Sequence, residues 1–137
     1  MIILMGVAGA GKSLQGRLFA QDLGYTWVST GEIFRTQLSE DRQKELVMGK
    51  LLDDTEVIAL VDKTLSALNN AQDFVLDGFP RTIVQAEWIL GQASHQRFDL
   101  KGVFNLVASR EIVKSRLLAR GRSDDNDSGI QERFKEY

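Results

Sequence analysis

Gly6-Val7-Ala8-Gly9-Ala10-Gly11-Lys12-Ser13 fits the pattern G-x-x-x-x-G-K-[ST], the phosphate-binding P-loop. Ile2-Ile3-Leu4-Met5, just before it, is a short apolar run of the kind that makes a buried parallel strand. Leu14, Leu18, Phe19 and Leu23, just after it, fall at helical spacing, and Gly24 stops the helix. The motif therefore lies between a strand and a helix, where it has a mechanism. Glycines carry no Cβ, so the loop can wrap with its N–H groups pointing inward. Those donors and the positive end of the helix dipole hold a polyphosphate. Lys12 adds a point charge near the β- and γ-phosphates, and Ser13 offers a hydroxyl to Mg²⁺. The competing reading is a glycine-rich turn with a stray Lys-Ser; the flanking strand and helix argue against it.

Composition bounds the rest. The chain has 137 residues, 43% hydrophobic and 26% charged, which suits one globular domain with a real core. A net charge of −2 gives no general attraction to nucleic acid or to a membrane surface. No apolar run approaches the ~18 residues of a membrane span. The N-terminus opens directly on a strand and leaves no room for a signal peptide, so the expectation is a cytoplasmic protein. There are no cysteines, hence no disulfide, thiolate metal site or thiol nucleophile. The single histidine, His95, lies in a polar stretch and reads as a solvated loop residue. Chemistry is left to Lys, Arg, Asp, hydroxyls and backbone. That set suits phosphoryl transfer, where positioning and charge neutralisation dominate.

Further along, residues 25–28 read as a second strand, and Ser29 with Glu32 as a capping box opening a helix with Ile33, Phe34 and Leu38. Arg35 on that helix is either a snorkelling surface residue or a phosphate ligand beside the P-loop. Gly49 reads as a helix stop or turn. Asp53 and Glu56 form another N-terminal box, and Val57, Ile58, Val61, Leu65 and Leu68 make a core-facing stripe that Asn69-Asn70 ends. Phe74-Val75-Leu76-Asp77 is the third strand, and its terminal Asp is a Walker B pattern that reaches the Mg²⁺ shell. Gly78-Phe79-Pro80-Arg81 is a tight turn, followed by a helix capped by Thr82 with Gln85 and buried through Ile83, Ala86, Ile89 and Leu90. Residues 103–107 are the fourth strand. Ser109 caps a helix bearing Ile112, Val113 and Leu117, with Arg116 and Arg120 on one face. Arg122 follows, and Asp127 or Ser128 caps a last helix carrying Ile130, Arg133, Phe134 and Tyr137. Each arginine alone reads as a solvated helix face. Four of them after the fourth strand of a P-loop protein favour an electrostatic clamp. Strands alternating with helices predict an α/β fold of P-loop NTPase type: a parallel four-stranded core sheet with helices on both faces in three layers.

Four stretches together resemble the motif series of adenylate kinases and related nucleoside monophosphate kinases. They are Gly6–Ser13, Ser29-Thr30-Gly31-Glu32, residues 75–82 with Gln85-Ala86, and Arg122-Ser123-Asp124-Asp125. Their order and spacing agree over essentially the whole chain, and Asp-Gly-Phe-Pro-Arg-Thr (Asp77–Thr82) is highly specific. The Asn-Lys-x-Asp motif of a GTPase is not present. The resemblance implies reversible transfer of the γ-phosphoryl of Mg·ATP to a nucleoside monophosphate, most simply ATP + AMP = 2 ADP. It leaves UMP/CMP or another acceptor, and a nucleotide-binding module with weak catalysis, as alternatives. It implies that Gly9, Ala10, Gly11, Lys12, Ser13 and Leu14 cradle the ATP phosphates, with Arg116 on the ATP base. Thr30 and Arg35 would line the monophosphate site, and Lys50, Leu51 and Leu52 would frame its base. Gly78 and Arg81 would hold that nucleotide, and Gln85 would read its base edge. Arg120, Arg122 and Arg133 would neutralise the transferring group, and Asp77 and Asp124-Asp125 would position Mg²⁺ waters and neighbouring arginines. The implied domain contains a monophosphate-binding insertion at about 30–52 and a lid at about 120–123. The implied partners are small nucleotides, with a monomeric chain.

The sequence departs from the family pattern at four places. Ser13 and Leu14 stand where the family commonly has glycine and threonine; Ser13 restores the general P-loop hydroxyl. Only Gly121 separates Arg120 from Arg122, so the lid is almost absent. The segment between Arg35 and Gly49 is short. The family continues past the position of Tyr137 into a last strand and helix. The expectation is therefore an open sheet edge at Val103–Val107, apolar enough to be covered by another segment or chain.

Overall fold

The computed structural model describes residues 1–47, 52–68, 72–121 and 130. The elements run β1 (Ile2–Met5), α1 (Lys12–Leu23), β2 (Thr26–Ser29), α2 (Thr30–Gln37), α3 (Glu40–Val47), α4 (Asp54–Ser66), β3 (Phe74–Asp77), α5 (Ile83–Ser94), β4 (Gly102–Asn105) and α6 (Arg110–Arg120). All strand pairs are parallel, in the order β2-β3-β1-β4. The expected α/β class and four-stranded parallel core are therefore present. Residue-by-residue alternation sends side chains to opposite faces. Ile3, Val28, Phe74 and Leu76 join Val57, Val61 and Leu65 of α4 and Ile89 of α5 in one core cluster. Ile2, Leu4 and Val75 join Ala20 of α1 in another. Both faces are thus covered, as an all-parallel sheet requires. At the N-terminal ends of the strands, Asp73 accepts from the Met1 amino group at 3.3 Å and from the Lys101 ammonium. Among the described residues no helix is long and apolar enough to cross a membrane.

Helix packing corrects several sequence-level assignments. α1 does not pack through Leu14, Leu18 and Leu23, which are exposed; its buried residues are Gly16 and Ala20. A Cβ at Gly16 would stand 2.9 Å from Leu4 Cδ1 and from Trp27 Nε1, so the helix lies too close to the sheet for a larger side chain there. α5 likewise buries Gln85 and Ile89, one turn apart, while Ile83 is 78% exposed and Leu90 is also exposed. Ser29 makes no side-chain cap bond. Glu32, its expected partner, instead takes Arg17 at 2.7 Å, and that guanidinium sits 4.3 Å over the Trp27 ring. The box at α4 is complete: Asp53 accepts from Glu56 N–H at 2.8 Å and Glu56 accepts from Asp53 N–H at 3.1 Å. Thr82 caps α5 and Ser109 caps α6, in agreement with the sequence. α4 stops at Ser66, before Asn69-Asn70, which lie outside the described residues with Gly49. α3 occupies a polar stretch whose sequence carries no apolar helical stripe to announce it. The fourth strand is shorter than expected, and β4 pairs with β1 alone among the described strands, leaving Val103 and Phe104 half exposed. His95 is the exposed C-cap of α5.

These assignments predict a contrast in stability. Leu76→Ala, at a fully buried strand position, should cost about 3 kcal/mol of unfolding free energy in urea. Ile83→Ala, at an exposed helix start, should cost less than about 0.5 kcal/mol. Equal costs would contradict the assigned faces.

Candidate active site

Strand register brings the site together. Leu4 pairs with Asp77 and Asp77 with Ser29, so the C-terminal ends of β1, β3 and β2 are level. The segments leaving them are Gly6 into the P-loop, Gly78 into the Pro80-Arg81 turn, and Thr30 into α2. An open parallel sheet places its ligand crevice at this edge. Two glycines are required by close approach. At Gly6 φ is +128° and a Cβ would stand 2.3 Å from Leu106 O. At Gly78 φ is +85° and a Cβ would stand 2.7 Å from Thr30 Oγ1. Side chains are strained at such φ whatever the space.

The lysine and the hydroxyl of the P-loop face the third strand. Lys12 Nζ donates to Gly6 O at 2.5 Å and Val7 O at 3.1 Å, which curls the loop around its ammonium. Ser13 Oγ donates to Asp77 Oδ2 at 2.7 Å. Asp77 is only 2% exposed, so its carboxylate is held at the floor of the site. A hydroxyl and a carboxylate so placed are hard oxygen donors suited to Mg²⁺. Among the described residues no group of three or more His, Cys, Asp or Glu gathers. A magnesium ion at Ser13 and Asp77 would therefore complete its shell with phosphate and water, as is usual for that ion.

Opposite the P-loop, Thr30 is buried and its Oγ1 donates to Gly78 O at 3.0 Å. Arg81 Nε donates to the same carbonyl at 2.9 Å, which aims the guanidinium back over the strand ends. Arg81 N–H donates to Gln85 Oε1 at 2.9 Å. From α6, Arg116 Nη1 donates to Ala10 O at 3.1 Å and Gly9 O at 3.4 Å. α6 itself is anchored under the loop by Val113 and Leu117, packed with Val7, Ala8 and Ile130. One cleft of about 270 Å³ is lined by Gly9, Gly11, Lys12, Ser13 and Leu14 on one side and by Thr30, Arg35, Gly78 and Arg81 on the other. Arg116 and Arg120 line its rim and Asp77 its floor. Arg35 is exposed on α2 and lines this cleft.

The remaining sequence candidates divide. Gln85 is buried beneath the turn rather than in the cleft wall, and Leu52 packs against the main core cluster. Lys50, Leu51, Arg122, Asp124, Asp125 and Arg133 lie outside the described residues. Asp54 has no counterpart among the sequence candidates: its Oδ1 accepts from Gln85 Nε2 at 2.7 Å and from Thr82 Oγ1 at 2.9 Å. Its neighbour Asp53 carries the capping signal, and nothing local in sequence points from position 54 to position 85.

Burial lowers the Lys12 ammonium most; the Asp77 carboxylate opposes this, and Arg81 and Arg120 lower it further, from an ordinary 10.5 to about 8. A lysine with a depressed native pKa binds fewer protons folded than unfolded between those two values. In that window it adds stability as pH rises. For a polyphosphate in the cleft the effect would run the other way, because only the protonated form attracts one. kcat/KM reports the free protein. For Mg·ATP it should fall above about pH 8, while kcat stays level further, since bound phosphate holds the proton on. A kcat/KM profile level to about pH 10 would remove Lys12 from this role.

The geometry agrees with comparisons to known proteins. The family model described as Adenylate kinase matches residues 4–137. The adenylate kinase of Corynebacterium urealyticum is 38% identical over 99% of this chain and 78% of its own length. That of Mycolicibacterium vanbaalenii is 37% identical, and that of Corynebacterium glutamicum strain R 34%, each over the same shares. A P-loop, an acidic strand end and an arginine turn around one cleft, with a family match across nearly the whole sequence, lead to one conclusion: the chain belongs to the adenylate kinase family.

Proposed function

We propose that the cleft between the P-loop and the Asp77–Arg81 turn is where this chain carries out the adenylate kinase reaction, ATP + AMP = 2 ADP. The observation that carries the reading is that Lys12, Arg81 and Arg120 all line one cleft over the buried Asp77. ATP lies along Gly9–Leu14 with its β- and γ-phosphates on Lys12 and its base toward Arg116. AMP lies across Thr30, Arg35, Gly78 and Arg81, with Gln85 toward its base edge and Lys50, Leu51 and Leu52 around it. Arg120, with Arg122 and Arg133, neutralises the transferring group. Ser13 and Asp77 hold Mg²⁺, which supplies charge neutralisation at the phosphates when bound.

The acceptor is already a phosphate oxyanion, so no general base is needed. An AMP phosphate oxygen forms a bond to the γ-phosphorus, and the bond from that phosphorus to the β–γ bridging oxygen breaks. Both products are ADP. The protein's work is to align two highly charged groups and screen their repulsion. Guanidinium forks do this best because they bind phosphate oxygens in pairs. Nucleotides as the only partners and a cytoplasmic setting complete the reading. A nucleotide-binding module of little catalytic power is the second reading, favoured by the single glycine between Arg120 and Arg122.

The test is ADP formation from Mg·ATP with AMP, UMP, CMP, GMP or no acceptor, with Lys12→Ala as the blank. Formation that depends on AMP and on Lys12 is expected; nucleotide binding without acceptor-dependent turnover would support the module instead. Arg81→Ala should lower turnover at least ~10²-fold, the usual loss for one transition-state donor. A change under about threefold would take Arg81 out of the mechanism. A short lid excludes water poorly. ATP hydrolysis without acceptor should therefore be measurable, and undetectable hydrolysis under conditions of active transfer would refute a leaking site.

A further inference from the structure

We propose that Asp54 fixes which way round the Gln85 amide faces, and thereby lets Gln85 distinguish a 6-amino from a 6-oxo purine monophosphate. The inference rests on the proposed assignment of Gln85 to the acceptor base. A glutamine amide is nearly symmetric in shape and opposite in polarity at its two ends, so a buried one is specified only by its partners. Both partners of Gln85 act in one direction only. Asp54 is a carboxylate and accepts; it meets Gln85 Nε2 at 2.7 Å. The Arg81 backbone N–H donates; it meets Gln85 Oε1 at 2.9 Å. Turning the amide over would set acceptor against acceptor and donor against donor. Gln85 is 5% exposed, so water cannot compensate the loss.

The lock stands on rigid parts. Asp54 is the first residue of α4, next to the completed Asp53–Glu56 capping box, and its Oδ1 is also held by Thr82 Oγ1 at 2.9 Å. Gln85 lies in the first turn of α5, and its own N–H bonds back to Thr82 Oγ1 at 3.2 Å. With those partners made, Nε2 keeps one hydrogen and Oε1 one lone pair. Adenine offers an amino donor beside a ring-nitrogen acceptor. A 6-oxo purine offers the reverse, an oxygen acceptor beside an N–H donor. A free amide matches either pattern by turning over; a fixed one matches one. Asp54 does not touch the reacting atoms and acts through Gln85 as a positioning residue.

Asp54→Asn keeps the shape but no longer only accepts, so one of the two one-way partners of the Gln85 amide is lost while the Arg81 N–H remains. The experiment measures kcat/KM for AMP and for GMP, and KM for Mg·ATP, in the unaltered protein, Asp54→Asn, Asp54→Ala, Gln85→Ala and the Asp54→Asn/Gln85→Ala double variant. The AMP-to-GMP ratio should fall about tenfold or more in whichever Asp54 variants fold, the scale of one lost paired contact. KM for Mg·ATP should stay within about twofold, the split expected when only the acceptor side is disturbed. In the Gln85→Ala background, Asp54→Asn should change the ratio no further. If Gln85→Ala lowers the ratio and the Asp54 variants do not, the lock is wrong and base reading by Gln85 stands. If Gln85→Ala leaves the ratio unchanged, both fall.

Discussion

The hydroxyl of Ser13 and the carboxylate of Asp77 meet at 2.7 Å although 64 residues separate them in the chain. Everything else in the site is arranged around that contact. It requires β1 and β3 to be neighbours in register, so that Leu4 stands beside Asp77 and the P-loop leaves the sheet at the same level as the acidic strand end. It requires Asp77 to be buried, which is costly for a carboxylate unless a donor answers it. Ser13 is that donor in the free protein. The same oxygens face the cleft where a cation and phosphates would sit, so one arrangement satisfies the fold and prepares the site. Lys12 has the same double character. It is held against loop carbonyls, desolvated, and depressed to a pKa of about 8, poised to gain from the arrival of phosphate charge.

Much of this was legible in the sequence because the information is local. The Gly6–Ser13 pattern, the apolar runs at Ile2 and Phe74, the Asp53–Glu56 box and the glycine stop at Gly24 are each set within a few residues, and each is found in the structure. Misreadings arose where a tertiary distance decides. Leucines on α1 have the right period to be core, but the helix lies so near the sheet that only Gly16 and Ala20 fit. Glu32 has the right spacing to complete a cap, but Arg17 from another helix reaches it first. Of the candidate site, Lys12, Ser13, Thr30, Arg35, Asp77, Gly78, Arg81, Arg116 and Arg120 line one cleft. Gln85 is buried, its amide held by the Arg81 N–H and by Asp54. A contact between positions 54 and 85 has no sequence signal in a single chain.

β4 bonds to β1 on one side and leaves Val103 and Phe104 half exposed. Phe104 partly shields itself by an edge-to-face contact with Phe19 at 6.0 Å. The cleft is tied to that flank on one side only: the P-loop is braced by Leu106, which continues β4, and by Val113 and Leu117, while the opposite wall is held by α2 and the Asp77–Arg81 turn.

The most direct test of the Ser13–Asp77 arrangement is Asp77→Asn, which keeps the shape of the side chain and removes its charge. AMP-dependent ADP formation from Mg·ATP should fall at least ~10²-fold while the protein stays folded in urea titration, since the carboxylate that would hold Mg²⁺ beside the phosphates is lost and little packing is. Turnover within about threefold of the unaltered protein would contradict a central role for that carboxylate.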